Sequence, residues 1–379
     1  MTNPCREPAP KGGPVPLKRA LVYHRLWRAP LLILGFAALI VGVGAGLVRL
    51  AWSVPFGAAS PSLHGALMIC GFFGVVISLE RAVAIGRTWA YLGPLVSGLG
   101  AVAAIVGSIP LAAWLFFAGS LVLVAASLEV FRRQTALFTF TLVLGALCWS
   151  AGNAQWAAGL TVHQVVTWWL SFPILTIAGE RLELSRFLPP SPVAKRVFAG
   201  IVGVIVLGLL GAASEWGAVV FAAGLLALSV WLAKQDIARR TVRDKGLTRF
   251  IAVCLLSGYA WLAIGAVVVL AAGGLSPGSP AYDASLHALA LGFVFSMVFG
   301  HAPLIFPAVL RVAVPYHAYF YAPLVLLHVS LLVRLAGDAM DRFDWIRTGG
   351  MLNAVALVAF IVGTASAVVH GKLCERRAA

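Results

Sequence analysis

The sequence predicts an all-α polytopic membrane protein of about twelve transmembrane helices. Three observations carry that reading. The chain is 61% hydrophobic and only 11% charged, against roughly 25% charged residues in ordinary soluble domains. Its apolar residues form long runs, and a span needs about 20 of them. Its basic residues fall in alternate loops between those runs. In lipid such runs must be helical, because an isolated strand leaves its backbone unsatisfied.

The expected spans are 29–50, 63–85, 91–109, 112–131, 136–158, 162–184, 196–213, 216–233, 248–272, 283–306, 318–336 and 347–370. Residues 1–28 read as a basic cytoplasmic tail, 29–370 as the bundle and 371–379 as a second cytoplasmic tail. Only Ser108-Ile109-Pro110 separates the third run from the fourth. With the N-terminus inside, 24 of the 28 Lys and Arg fall in inner segments. The other four are Arg49, Arg334, Arg342 and Arg347. That alternation predicts N-in, C-in topology in a cell (inner) membrane. The net charge of +15 is thereby a topology signal, and nucleic acid is not expected as a partner. The bilayer is. The five cysteines form no C-x-x-C pair, so neither a disulfide framework nor a zinc knuckle is expected.

The runs also echo one another. Run two opens at His64 and ends in Glu80-Arg81, and run six opens at His163 and ends in Glu180-Arg181. Run ten opens at His287. The spacing predicts three related four-helix units around a central site.

Of eight histidines, His24, His317 and His370 lie outside or at the edge of the bundle and carry no expected role. His64, His163 and His287 each open a run that travels inward, so they share one outer layer. His328 enters from the other direction and is placed to approach His287. Imidazole suits iron, copper and zinc, and a haem takes one or two such axial ligands. Each histidine could equally hydrogen-bond a neighbour. Met68 lies four residues from His64, and Met297 four from His301. His/Met pairs suit copper, although methionine also fills packing gaps. His287 and His301 are fourteen residues apart. In a regular helix that spacing puts them on one face, separated by about 21 Å. Gly300 and Pro303 are expected to bend or end that helix. Arg334, Arg342 and Arg347 surround one outer loop and fit carboxylates such as haem propionates. Asp338, Asp341 and Asp344 in the same loop offer local ion pairs instead.

The stretch His64-Gly65-x-x-Met68-x-x-x-Phe72-Phe73-Gly74 resembles the second helix of haem–copper oxidase catalytic subunits and of the NnrS family. His287-Ala288-x-x-Leu291-Gly292 resembles the tenth helix of NnrS-like proteins. The oxidases' His-Pro-Glu motif in helix six, a histidine in helix seven and His-x-His in helix ten are all missing here. The NnrS resemblance therefore fits better. It implies haem and copper binding, a role in the response to nitric oxide and a redox partner. His64 and His287 would be ligands, with His328 or His163 next, and the arginine loop would hold propionates. The competing expectation is a transporter for a metal ion or small solute, with its site on helix ten near His301.

Overall fold

A computed structural model describes residues 20–54, 61–184, 190–212 and 214–378, with the side chains of 20–27, 215 and 372–378 outside the described set. The described residues are helical, with no strand among them. The long helices are α1 (Ala20–Arg49), α2 (Pro61–Ile85), α3 (Thr88–Ile105), α4 (Ile109–Arg133), α5 (Leu137–Ala157) and α6 (Val162–Leu184). They continue as α7 (Pro192–Leu210), α8 (Glu215–Gln235), α9 (Gly246–Ala272), α10 (Pro280–Leu310), α11 (Ala318–Ala339) and α12 (Phe343–Ala378). Among the described residues, eleven helices are long and apolar enough to cross a membrane. The other long helix is α6, diluted by His163, Gln164, Glu180, Arg181 and Glu183.

Local chemistry sets the boundaries. Gly86 and Gly273 end α2 and α9 in the left-handed region, at φ 69° and 72°, where a side chain would be strained. The breaks before α4, α7 and α10 place Pro110, Pro192 and Pro280 in the first helical turn, where the missing N–H costs nothing. Ser191 and Ser279 cap α7 and α10 by accepting from the backbone amides of Ala194 and Tyr282.

Several boundaries differ from the sequence expectation. α1 starts at Ala20 rather than near 29, and α12 runs on to Ala378 through the expected tail at 371–379. Residues 1–19 of the expected N-terminal tail, and the side chain of His24, lie outside the described residues. Pro303 does not end α10, which continues through both Pro303 and Pro307 to Leu310.

At the centre, α2, α6 and α10 touch one another pairwise. Gly65 at the head of α2 lies against Val162 at the head of α6, and His163 of α6 lies against Tyr282 near the head of α10. Arg181 near the end of α6 reaches His301 far down α10. The three helices are therefore parallel, with their histidine-bearing ends together. α1 packs against α2, α10 and α12.

Candidate functional site

The site forms where α2 and α10 face each other. Each helix leaves the α pattern for a π-helical stretch just beyond its histidine: Leu67–Phe73 after His64, and Ala288–Phe295 after His287. π-helical turns are rare and occur often at functional sites. Both stretches are apolar and almost wholly buried, and Phe72 and Phe295 lie parallel across the interface with centroids 5.8 Å apart.

Above that aromatic layer the imidazoles of His64 and His287 come together, with ring centroids 6.2 Å apart and planes within 17°. His64 Nδ1–H donates to the Gly42 carbonyl of α1 at 2.8 Å, and His287 Nδ1–H donates to the Asp283 carbonyl at 2.8 Å. A carbonyl can only accept, so these bonds fix the proton on Nδ1 of each neutral ring. Both Nε2 lone pairs are left without a hydrogen-bond partner among the described residues. Anchoring of one ring nitrogen to a carbonyl or carboxylate is the usual support for a metal-binding histidine.

Small residues of α1 make room for His64. A Cβ on Gly46 would sit 2.8 Å from its Nδ1 and 2.9 Å from its Cε1. On the other side, Asp283 Oδ1 lies 3.3 Å from His287 Nδ1, and Arg334 of α11 grips the same carboxylate at 2.8 and 2.9 Å. Asp283 thus ties α10 to α11 while steadying His287. Arg49, at the end of α1, is exposed, has no hydrogen-bond partner among the described residues, and lies close enough for its charge to act on His64 and Asp283.

The other expected site residues separate into different settings. His163 bonds Tyr282 through Nδ1 at 2.9 Å, so it shares the layer of His64 and His287 without joining the pair. His328 faces α9, where Nδ1 accepts from the Trp261 indole at 2.9 Å and Nε2 meets the Ser257 hydroxyl at 3.0 Å. Both of its nitrogens are engaged, and it does not approach His287. His301 donates from Nδ1 to the Met297 carbonyl at 2.7 Å and accepts at Nε2 from Arg181 at 3.0 Å. It therefore faces α6, whereas His287 faces α2. The single face expected for the two is lost because the intervening π stretch carries extra residues per turn and rotates the remainder of the helix.

Met68 lies against Gly42 beneath His64, whereas the Met297 methyl points at Gly258 of α9. Among the described residues no three His, Cys, Asp or Glu side chains converge as a metal cluster. Of the loop arginines, Arg334 is committed to Asp283. Arg347 lies 4.1 Å over the Trp52 ring and bonds the Ala51 carbonyl, and Arg342 is exposed.

A second polar cluster is buried at the opposite end of α6 and α10. Arg181 pairs with Asp236 at 3.0 Å, and both side chains are almost fully buried. The Tyr259 hydroxyl donates to the same Asp236 oxygen at 2.6 Å, and the backbone amide of Ala238 donates to the other at 2.8 Å. With His301 this makes a chain of four side chains across α6, α9, α10 and the α8–α9 connection.

Sequence reasoning missed Asp283, Tyr282, Gly42 and Gly46. Asp283, in the first turn of α10 and four residues before His287, was the readable signal. The glycines were not readable, because their role depends on which helix packs on His64.

Fold and site together define a helical multi-pass membrane protein with two poised imidazoles between central helices. The chain belongs to the family described as Domain of unknown function (DUF8744), whose model matches residues 28–369. No curated protein matches it.

Proposed function

We propose that this is a haem-binding membrane protein in which His64 and His287 would hold the iron. One observation carries the reading: two imidazoles with Nδ1 anchored to carbonyls and no hydrogen-bond partner at Nε2 among the described residues, their centroids 6.2 Å apart. Imidazole–metal bonds are ~2.0–2.1 Å long, so two rings flanking one metal through Nε2 have centroids about 6 Å apart. Two nitrogen ligands fit a haem iron. They are fewer than the three protein ligands of a blue-copper site, so copper is the weaker candidate. Arg49 is the side chain best placed to meet a propionate, because Arg334 already holds Asp283.

Bound haem would supply one-electron chemistry. Held by His64 and His287, it would fit electron transfer to or from a redox partner. The direction toward nitric oxide and redox response rests on the NnrS resemblance of the α2 and α10 motifs. The same proposal includes twelve spans with both termini inside a cell (inner) membrane, arranged as three four-helix units. The loop charges and the central α2–α6–α10 contact support it.

An absorption spectrum of detergent-purified protein after haem-replete expression tests the reading. We expect a Soret band that His64→Ala and His287→Ala each shift or abolish and that His328→Ala leaves alone. Absence of the band in the wild-type chain overturns the proposal. The transporter reading draws on the Arg181–Asp236–Tyr259–His301 cluster, since buried charges in membrane helices often mark ion or proton paths. Solute uptake by haem-free proteoliposomes, lost in His301→Ala, would favour it.

A further inference from the structure

Away from the histidine pair, α7 and α8 form a hairpin that is tight at one end and open at the other. Near the turn the two helices interlock, because Gly208 leaves room for Phe221 and Gly224 leaves room for Ile205. Toward the other end they leave a groove of about 700 Å³. Its walls are Val197, Ile201, Ala227 and Val230, and its rim is Ser191, Lys234 and Gln235. The Trp231 indole crosses to the Ala194 carbonyl at 2.9 Å just below that rim.

Charge is sharply graded along the groove. Its apolar part contains no ionisable side chain. At its rim exposed Lys234 lines the groove, and exposed Arg239 lies beside it, donating to the Lys234 carbonyl at 2.9 Å. The nearest acid, Asp236, is buried and already paired with Arg181. From Ala223 to Lys234 the groove follows eleven residues of helix, about 16 Å, which is about the depth of one leaflet of a ~30 Å hydrocarbon core. The basic end also lies on the face that the loop charges mark as cytoplasmic, where anionic lipids attract basic side chains.

We propose that this groove is a binding site for one anionic phospholipid, with an acyl chain along Ile201 and Ala227 and the headgroup phosphate held by Lys234 and Arg239. The site is independent of haem. It fastens the α7–α8 hairpin to the inner leaflet. A neutral lipid would fill the apolar part and leave the basic rim unpaired.

Native mass spectrometry of the full chain tests this after exchange into phosphatidylglycerol or phosphatidylcholine with identical acyl chains. We expect one phosphatidylglycerol to be retained about ten- to thirtyfold better than phosphatidylcholine, the preference that two basic side chains at a membrane surface provide. Lys234→Gln with Arg239→Gln should bring retention down to the phosphatidylcholine level. Ala227→Trp, which fills the groove and leaves the charges alone, should remove the bound lipid. Arg132→Gln, an exposed basic residue on α4 away from the groove, should change nothing. Equal retention of the two lipids by the wild-type chain overturns the proposal. So does unchanged retention in the groove or rim variants, or an equal loss in Arg132→Gln.

Discussion

Gly46→Ala is the sharpest perturbation of the histidine pair. A Cβ at this position would lie 2.8 Å from His64 Nδ1 and 2.9 Å from Cε1, closer than such atoms pack. The ring must tilt, and its 2.8 Å bond to the Gly42 carbonyl must lengthen or break. The lost hydrogen bond costs ~0.5–1.5 kcal/mol, and the overpacking a further ~1–3 kcal/mol. Alanine's better helix propensity offsets about 1 kcal/mol of this. A net penalty of about 1–3 kcal/mol on the competent His64 geometry corresponds to a roughly 5- to 160-fold loss in haem affinity, which spans the ~10–100-fold seen when supporting contacts of metal ligands are removed. Gly44→Ala is the matched control, since a Cβ there meets nothing within 4 Å. It should leave affinity unchanged and raise stability slightly. The assay is titration of haem into the purified, haem-depleted protein, followed by absorbance. Equal affinities for the two variants would show that His64 is not held by α1, or is not a ligand.

Other perturbations separate the roles of the remaining groups. Asp283→Ala leaves Arg334 buried without its carboxylate and should cost ~3–5 kcal/mol; thermal unfolding in detergent should show part of that loss recovered in Asp283→Ala with Arg334→Leu. Asp236→Ala does the same to Arg181 and should destabilise by a similar ~3–5 kcal/mol, while the Soret position stays put because the two clusters lie at opposite ends of α10. Arg49→Ala should weaken haem retention on a size-exclusion column, and the exposed Arg342→Ala should not. With Cys5 and Cys374 also replaced by Ser, a cysteine introduced by Arg342→Cys should react with an impermeant maleimide in intact cells, and one introduced by Arg240→Cys only after permeabilisation. The reverse pattern would invert the topology.

Much of the architecture was legible because the bilayer imposes length and composition on each span. The apolar runs match the helices to within a few residues over most of the chain. The mismatch at Pro303 has a physical cause. Proline removes one donor and disfavours the helix locally, but neighbouring helices in a bundle can hold it together. The pairing of His64 with His287 was readable as a shared layer, since both open helices running in the same direction. That His328 is excluded was not readable, because depth along a helix says nothing about which neighbour the side chain faces.

By itself, then, the sequence determined the features that depend on one helix and its solvent: the apolar runs, the basic bias of alternate loops, the shared layer of His64, His163 and His287 and the matched Glu-Arg ends. Tertiary structure alone decided the azimuth of each side chain. The π stretch at Ala288–Phe295 rotated the lower half of α10, sending His301 to Arg181 while His287 kept facing His64. Gly42 and Gly46 became supports only when α1 packed there, and Arg334 was drawn from the expected propionate role to Asp283. Helical periodicity is a property of the local chain. Rotation about the helix axis is fixed by close packing against neighbours, and that information is spread over the whole bundle.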